Sequence, residues 1–360
     1  MEKFSVVIMG MGRIGGYIAR LLQSSGRYDV TGVDISAEAL APFSELCHTQ
    51  QLHDTDYSSV FSGQRAVISA SGFMDNPNIA KHALQSNCSY FDLTEDVSCT
   101  QEIKRIASQA KEGQVFVPQC GLAPGFVGIV ANSLAERFDQ LDTLKMRVGA
   151  LPEFPANQMM YNLTWSTEGL VNEYANPCEA IKHYDLTKIE PLEGLETFSV
   201  SGVEYEAFNT SGGLGSLCQQ LQGKVRELTY KTVRYPGHCH LMRFLFNDLR
   251  LGESGKRRDM LLDILNTSVA VTQQDYVLVS VVATGWVNES LQQITKTFLI
   301  NHDSSDSAIQ IATASGLCSV LDLVMAGDIK GTGFLGQESI PLETFLNNRF
   351  AQPYLNAELS

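Results

Sequence analysis

Phe4-Ser5-Val6-Val7-Ile8-Met9-Gly10-Met11-Gly12-Arg13-Ile14-Gly15 is the stretch that decides the fold. Residues 4–9 form a near-continuous apolar run, the pattern of a strand buried on both faces. The glycines at 10, 12 and 15 follow at once. Ile14, Ile18, Leu21 and Leu22 then recur at helical spacing, with Gly26 as the stop. In a strand–turn–helix, the first glycine allows the tight turn, the second lets a diphosphate approach the backbone, and the third lets helix and strand pack closely. The start of the helix turns unpaired N–H groups and a positive dipole end toward the phosphates. Residues 29–33 read as the next strand, and Asp34 ends it, 19 residues after Gly15. A carboxylate there accepts hydrogen bonds from ribose hydroxyls and repels a 2′-phosphate, and Ile35-Ser36 brings no cation, so NAD is favoured over NADP. Gly10, Met11, Gly12, Arg13, Ile14, Gly15, Asp34 and Ile35 are the cofactor candidates this gives; the competing reading is a glycine-rich turn with no ligand.

The alternation continues outward. Residues 66–70 read as a buried strand closed by Ser71-Gly72, 78–85 as a helix, 89–91 as a short strand delivering Asp92, 101–111 as a helix and 115–117 as a strand. Such βαβ units imply a parallel sheet, an α/β Rossmann domain over residues 1–125. Ligands sit at the carboxyl ends of such strands, which adds Ser71, Gly72, Asp92 and Cys120 to the cofactor candidates. Asp92 reads either as a cofactor or catalytic group or as a cap before Thr94-Glu95. Beyond Pro118 the character changes. Residues 143–148, 158–165, 227–235, 276–284 and 294–300 are rich in Val, Thr and aromatics, which predicts a mostly antiparallel sheet in an α+β substrate domain, and 307–326 reads as an apolar helix.

Composition bounds the function. The 360 residues carry 44% hydrophobic and 18% charged side chains, ordinary for about two domains. The formal charge of −14 and the scattered Lys and Arg argue against nucleic acid and anionic membrane as partners. Cysteines 47, 88, 99, 120, 178, 218, 239 and 318 form no CxxC pair and no zinc spacing. With no signal-peptide pattern at Met1-Glu2-Lys3-Phe4 and no apolar stretch long enough to span a bilayer, the expectation is a cytoplasmic protein with buried thiols. His238 and His240 could face one side of a strand, but no third ligand accompanies them, so no metal is expected.

Four further motifs stand in the middle of the chain: Gly121-Leu122-Ala123-Pro124-Gly125, Tyr161-Asn162-Leu163-Thr164-Trp165-Ser166-Thr167-Glu168-Gly169, Glu206-Ala207-Phe208-Asn209-Thr210-Ser211-Gly212-Gly213 and Tyr230-Lys231-Thr232-Val233-Arg234-Tyr235-Pro236-Gly237-His238. With the glycine turn and the tail Ala326-Gly327-Asp328-Ile329-Lys330-Gly331, they resemble the saccharopine dehydrogenase / lysine 6-dehydrogenase family from about residue 4 to 350. The resemblance implies a Rossmann domain, an inserted domain over 126–315 that binds substrate and forms dimers or higher homo-oligomers, and a return of 316–360 to the Rossmann domain. It also implies hydride transfer between a nicotinamide and a carbon bearing an amine. Ala123-Pro124-Gly125 and the 208–213 stretch lean toward lysine 6-dehydrogenase, in which the ε-amine becomes an imine that hydrolyses and cyclises. Trp165 looks more like the saccharopine branch. Saccharopine cleavage, carboxynorspermidine-type condensation and a catalytically inactive dinucleotide sensor stand as alternatives.

An amino-acid substrate needs a cation for its carboxylate, and Arg234 is the candidate clamp; the other reading is a structural ion pair. The amine must lose a proton before hydride leaves, and His238 is the candidate base, against a structural histidine. Tyr161 and Trp165, four apart, could share a strand face around a lysine stem or be core. Glu168 reads as an α-ammonium partner or as a solvated carboxylate at a helix start. Thr210, Ser211 and Gly212 could approach the substrate, or form a loop whose glycines only permit positive φ.

Overall fold

The computed structural model describes residues 3–53 and 57–359; the Met1-Glu2 start lies outside it. Contacts divide the chain into two compact units, Met1–Ile129 with Gln310–Leu355, and Val130–Ile309 with Asn356–Ser360.

In the first unit six parallel strands, β1 (Phe4–Met9), β2 (Tyr28–Asp34), β3 (His48–Gln51), β4 (Ala66–Ser69), β5 (Ser89–Asp92) and β6 (Val115–Val117), lie in the order 6-5-4-1-2-3, and the short strand Gly333–Phe334 adds to β6. This is a doubly wound Rossmann order, in the parallel sheet expected from the sequence, with its switch point between β1 and β4, where β1 leads into Gly10 and β4 leads toward Ser71-Gly72. Val6, Val7 and Ile8 of β1 are fully buried, as a central parallel strand requires. Helix α1 (Arg13–Ser24) turns Gly15, Gly16, Ile18, Ala19 and Leu22 inward.

Residues 126–129, assigned from sequence to the substrate domain, pack with this unit. Phe126, Val127 and Ile129 are fully buried, and the Phe126 ring lies 3.9 Å from that of Tyr354 and 5.3 Å from that of Phe345. The helix Ala308–Ala326 is long and apolar enough to cross a membrane, but 78% of its window is buried inside the protein, as in a core helix. Its buried Asp322 ties chain ends together: Tyr28 Oη donates to Oδ1 at 2.7 Å, and Asn348 Nδ2 and Arg349 Nε donate to Oδ2 at 3.0 and 3.1 Å. Asp322→Ala strands the buried Tyr28 and Asn348 donors, so it is expected to cost on the order of 3 kcal/mol and lower the melting temperature by roughly 6–12 °C, checked by calorimetry.

The second unit is built on a mixed sheet. Its strands are β7 (Gln140–Pro152), β8 (Cys178–Lys182), β9 (Asp185–Ile189), β10 (Glu196–Val200), β11 (Val203–Asn209), β12 (Val225–Arg234), β13 (Asp275–Val287) and β14 (Ser290–Asn301). The main order is 10-11-12-7-13-14, with Glu358–Leu359 at the end and β8–β9 as a side hairpin on β12. All pairs are antiparallel except β12 with β7. One expected strand is absent: residues 158–165 form an irregular segment whose one ladder contact is an isolated bridge from Leu163 to Val271. Asn157 replaces a neighbouring strand there. Its Oδ1 accepts from Tyr161 N at 3.3 Å and its Nδ2 donates to the Tyr161 carbonyl at 2.5 Å, so local side-chain bonds take the backbone groups a sheet would use.

Candidate functional site

Two polar sites emerge, one in each unit. The first is the glycine turn. Gly10 has φ of +92°, and a Cβ there would lie 2.9 Å from the Ala70 carbonyl oxygen. At Gly15 a Cβ would lie 1.8 Å from the Gly10 carbonyl oxygen, so α1 can approach β1 only because position 15 has no side chain. Gly12 is different. It caps α1 with ordinary φ of −72°, and a Cβ there would meet nothing within 4 Å. The protein itself gives no reason for glycine at 12; a diphosphate lying against the backbone does. No side chain caps the helix start, the first turn holds no acidic residue, and Arg13 is exposed beside it.

Asp34 holds this turn from the end of β2. Its Oδ2 accepts from Met11 N at 2.7 Å and its Oδ1 from Ser36 N at 2.9 Å. Ile14 follows Arg13 in the first helical turn, and Ile35 is 76% exposed, an apolar surface next to the carboxylate. Ser71 Oγ donates to the Met9 carbonyl at 3.1 Å, and Gly72 leaves open space where a Cβ would stand. The turn thus fits a dinucleotide on the structure's own terms: tight at Gly10 and Gly15, and open at Gly12, where the phosphates belong.

Two cofactor candidates are corrected. Asp92 is fully buried, and its carboxylate accepts from Tyr90 Oη at 2.8 Å and from the N–H groups of Thr94 and Gln119, each at 2.9 Å. Burial raises its pKa to about 6, against those hydrogen bonds. It has no face for a ligand and fastens the ends of β5 and β6 instead. Nor does it cap the next helix: Asp96 does, accepting from Cys99 N at 2.7 Å. Cys120 is equally buried. Its thiol donates to the Val117 carbonyl at 2.6 Å, and burial holds its pKa well above the ordinary thiol value, so it is no nucleophile.

The second site lies in the other unit, at the ends of β11 and β12 beside the helices Thr167–Ala175 and His238–Arg243. Arg234 is 3% exposed. Its guanidinium carbon sits 5.0 Å from the ring centroid of Tyr161 and 6.0 Å from that of Tyr174. Nη1 donates to the Val233 carbonyl at 2.8 Å, and Nε has no hydrogen-bond partner. Thr210 and Thr232 join hydroxyls at 2.8 Å, and Ser211 N donates to the Glu173 carbonyl at 3.0 Å. Gly212 has φ of +92°, and at Gly213 a Cβ would lie 2.2 Å from the Tyr230 ring, so both glycines of this loop have conformational reasons.

His238 is corrected as a base. Its Nδ1 is 2.9 Å from the Met159 carbonyl, so that nitrogen carries the proton. Nε2 is then the acceptor, and Tyr174 Oη occupies it at 3.2 Å. Both ring nitrogens are used. Burial, then the Arg234 charge, push the imidazole pKa down to about 3 despite the Met159 bond, so the ring stays neutral. The segment 238–243 is also a helix, which turns His238 and His240 to different sides rather than one. Among the described residues no group of three His, Cys, Asp or Glu side chains could hold a metal ion.

Tyr161 and Trp165 do not share a strand face. Tyr161 is fully buried, and Trp165 packs beneath the helix Thr167–Ala175, where a Cβ at Gly169 would lie 2.4 Å from its ring. Glu168 is an exposed carboxylate in that helix's first turn, within 3.2 Å of the Ser166 hydroxyl, the bland alternative of the sequence reading.

Matches to two family models now cover nearly the whole chain. The saccharopine dehydrogenase NADP binding domain matches residues 6–117, and the saccharopine dehydrogenase C-terminal domain matches residues 121–357. The chain belongs to the saccharopine dehydrogenase family. As a member of that family it is an NAD(P)-dependent dehydrogenase, using a nicotinamide dinucleotide. Apo histidine-tagged saccharopine dehydrogenase (L-Glu forming) from Saccharomyces cerevisiae is similar in structure, with a TM-score of 0.79 at 14% identity over 99% of each chain. A C. glutamicum DAP dehydrogenase in complex with DAP has a TM-score of 0.52 at 10% identity over 98% of each chain. At such identities the likeness shows the fold.

Sequence reasoning missed three residues of this family member's second site. Thr164 and Tyr174 were given no role from the sequence. Glu206 pairs in register with Arg234 across β11 and β12, and its Oε2 accepts from Gly237 N at 2.8 Å, fixing the turn that presents His238. Only the strand register, invisible in one sequence, brings it there.

Proposed function

We propose that the chain is an NAD-dependent dehydrogenase that oxidises the ε-amine of lysine. The observation that carries the substrate is the charge count of the buried cluster. Arg234 is its one cation among the described residues, because His238 is held neutral, and the buried Glu173 brings one carboxylate to the same cluster. One buried guanidinium suits the single carboxylate of lysine; saccharopine carries three carboxylates. Arg234 anchors that group, and the faces of Tyr161 and Tyr174 flank the anchor. Bound nicotinamide supplies the hydride acceptor. NADH formation with a panel of lysine, saccharopine and aliphatic diamines tests the reading. Turnover of lysine alone supports it, turnover of saccharopine without lysine overturns it, and NADH binding with no turnover points to a sensor.

The choice of NAD rests on Asp34, whose carboxylate accepts from the Met11 and Ser36 N–H groups at the end of β2 and makes no ion pair among the described residues. Asp34→Ser is expected to shift the NADP-to-NAD ratio of kcat/KM by about tenfold or more toward NADP, measured with both cofactors on the same preparation. An unchanged ratio contradicts the assignment.

A further inference from the structure

Gln337 is 4% exposed, and its Oε1 has no hydrogen-bond partner among the described residues. Its place in the Rossmann unit gives that oxygen weight. The strand Gly333–Phe334 runs parallel to β6, and Leu335 N donates to the Phe116 carbonyl at 3.0 Å, so the chain reaches Gln337 at the carboxyl end of β6. There Gln337 Nε2 donates to the Pro118 carbonyl at 3.1 Å. A carbonyl can only accept, so this bond fixes which end of the amide is used and which is left free. The other buried glutamine oxygens without partners stand away from this edge: Gln23 near the far end of α1, and Gln64 before the start of β4. Gln119, which follows Pro118 at the same edge, takes φ of +62°, a strained conformation of the kind that collects at ligand sites. A buried carbonyl oxygen without a partner costs free energy, so it is kept where something else completes it.

The cradle supplies the direction. A diphosphate at Gly12 and a ribose at Asp34 put the adenosine half on the β2 side of the switch point. The nicotinamide half then runs the other way, over the carboxyl ends of β4, β5 and β6. β6 stands two strand spacings from β4, about 10 Å. What Gln337 lacks is a donor, and the nicotinamide ring carries one, the NH2 of its carboxamide. We propose that Gln337 Oε1 accepts a hydrogen bond from that carboxamide, and that by this contact the protein distinguishes nicotinamide from nicotinate. A nicotinate ring brings a carboxylate to the same carbonyl oxygen, two acceptors facing each other out of water. Because Pro118 holds the amide by its other end, the oxygen is positioned before the cofactor arrives. The proposal rests on dinucleotide binding at the glycine turn and is independent of lysine as the substrate.

The test is calorimetry on the whole protein with no substrate present. Four ligands are titrated: NAD, its 3-acetylpyridine analogue, in which a methyl replaces the amide NH2, nicotinic acid adenine dinucleotide, and ADP-ribose, which has no pyridine ring. The parent is expected to bind NAD about tenfold more tightly than the acetyl analogue, the worth of one hydrogen bond to a buried acceptor, and to bind the nicotinate dinucleotide more weakly still. Gln337→Met keeps the length of the side chain and removes the carbonyl oxygen. It is expected to bind NAD and the acetyl analogue alike, with the affinity for ADP-ribose unchanged. Equal affinities of the parent for NAD and the acetyl analogue, or a preference that survives in Gln337→Met, overturn the assignment. The parent comparison decides by itself should the variant fail to fold. Binding of ADP-ribose without discrimination among the three dinucleotides removes Gln337 alone; no binding of any of the four removes the cradle with it.

Discussion

Gly12→Ala is expected to unfold at the same temperature as the parent protein and to lose about a hundredfold or more of its affinity for NADH. The two halves of this result have separate causes. A methyl group at position 12 meets no protein atom within 4 Å, and its φ of −72° is open to any residue, so the free protein has nothing to resist. The bound diphosphate does resist, because it must lie against that backbone to reach the N–H groups of the helix start. Gly15→Ala is the contrast. Its Cβ would stand 1.8 Å from the Gly10 carbonyl oxygen, so α1 must back away from β1, at a cost of about 1–3 kcal/mol or more in stability as well as binding. Thermal unfolding and NADH titration on both variants separate the cases. A Gly12→Ala protein that binds NADH like the parent contradicts the reason given for that glycine.

Arg234→Met carries the second large effect, a rise in KM for lysine of roughly a hundredfold or more, as expected when a buried charged hydrogen-bond partner is removed. Stability is expected to move little. The guanidinium has surrendered its hydration, and inside the protein it is held by the Val233 carbonyl at 2.8 Å and two aromatic faces, with Nε unpartnered. A buried charge that makes no ion pair among the described residues is costly to keep, so an apolar side chain of similar reach is expected to leave stability near its starting value. Steady-state kinetics beside a melting curve distinguish an anchor from a structural ion pair. An unchanged KM with a melting temperature lowered by many degrees shows the latter.

The Rossmann half was legible because its signals are local. A buried strand, three glycines at fixed spacing and a carboxylate at the next strand's end lie within 34 residues, and backbone geometry alone gives them meaning. Asp92 misled for the same reason. Its place at a strand end was read correctly, but the direction of its carboxylate depends on Thr94 and Gln119, contributed by two different loops. The second site was legible as a set of letters more than as an arrangement. The 158–165 segment has strand composition, yet Asn157 captures its backbone, and Met160 takes φ of +50°. His238 looked like a base from its intrinsic pKa, whereas burial, the Arg234 charge and the Met159 carbonyl set its protonation, and neither its burial nor its contact with Met159 is visible from its neighbours in sequence.

The most direct measurement of the central claim is a crystal structure of the protein with NADH. The diphosphate oxygens are expected within hydrogen-bond distance of the backbone N–H groups at the start of α1, between Gly12 and Ile14, with the Asp34 carboxylate on the ribose hydroxyls. A dinucleotide bound elsewhere, or one whose diphosphate stands away from that turn, contradicts it.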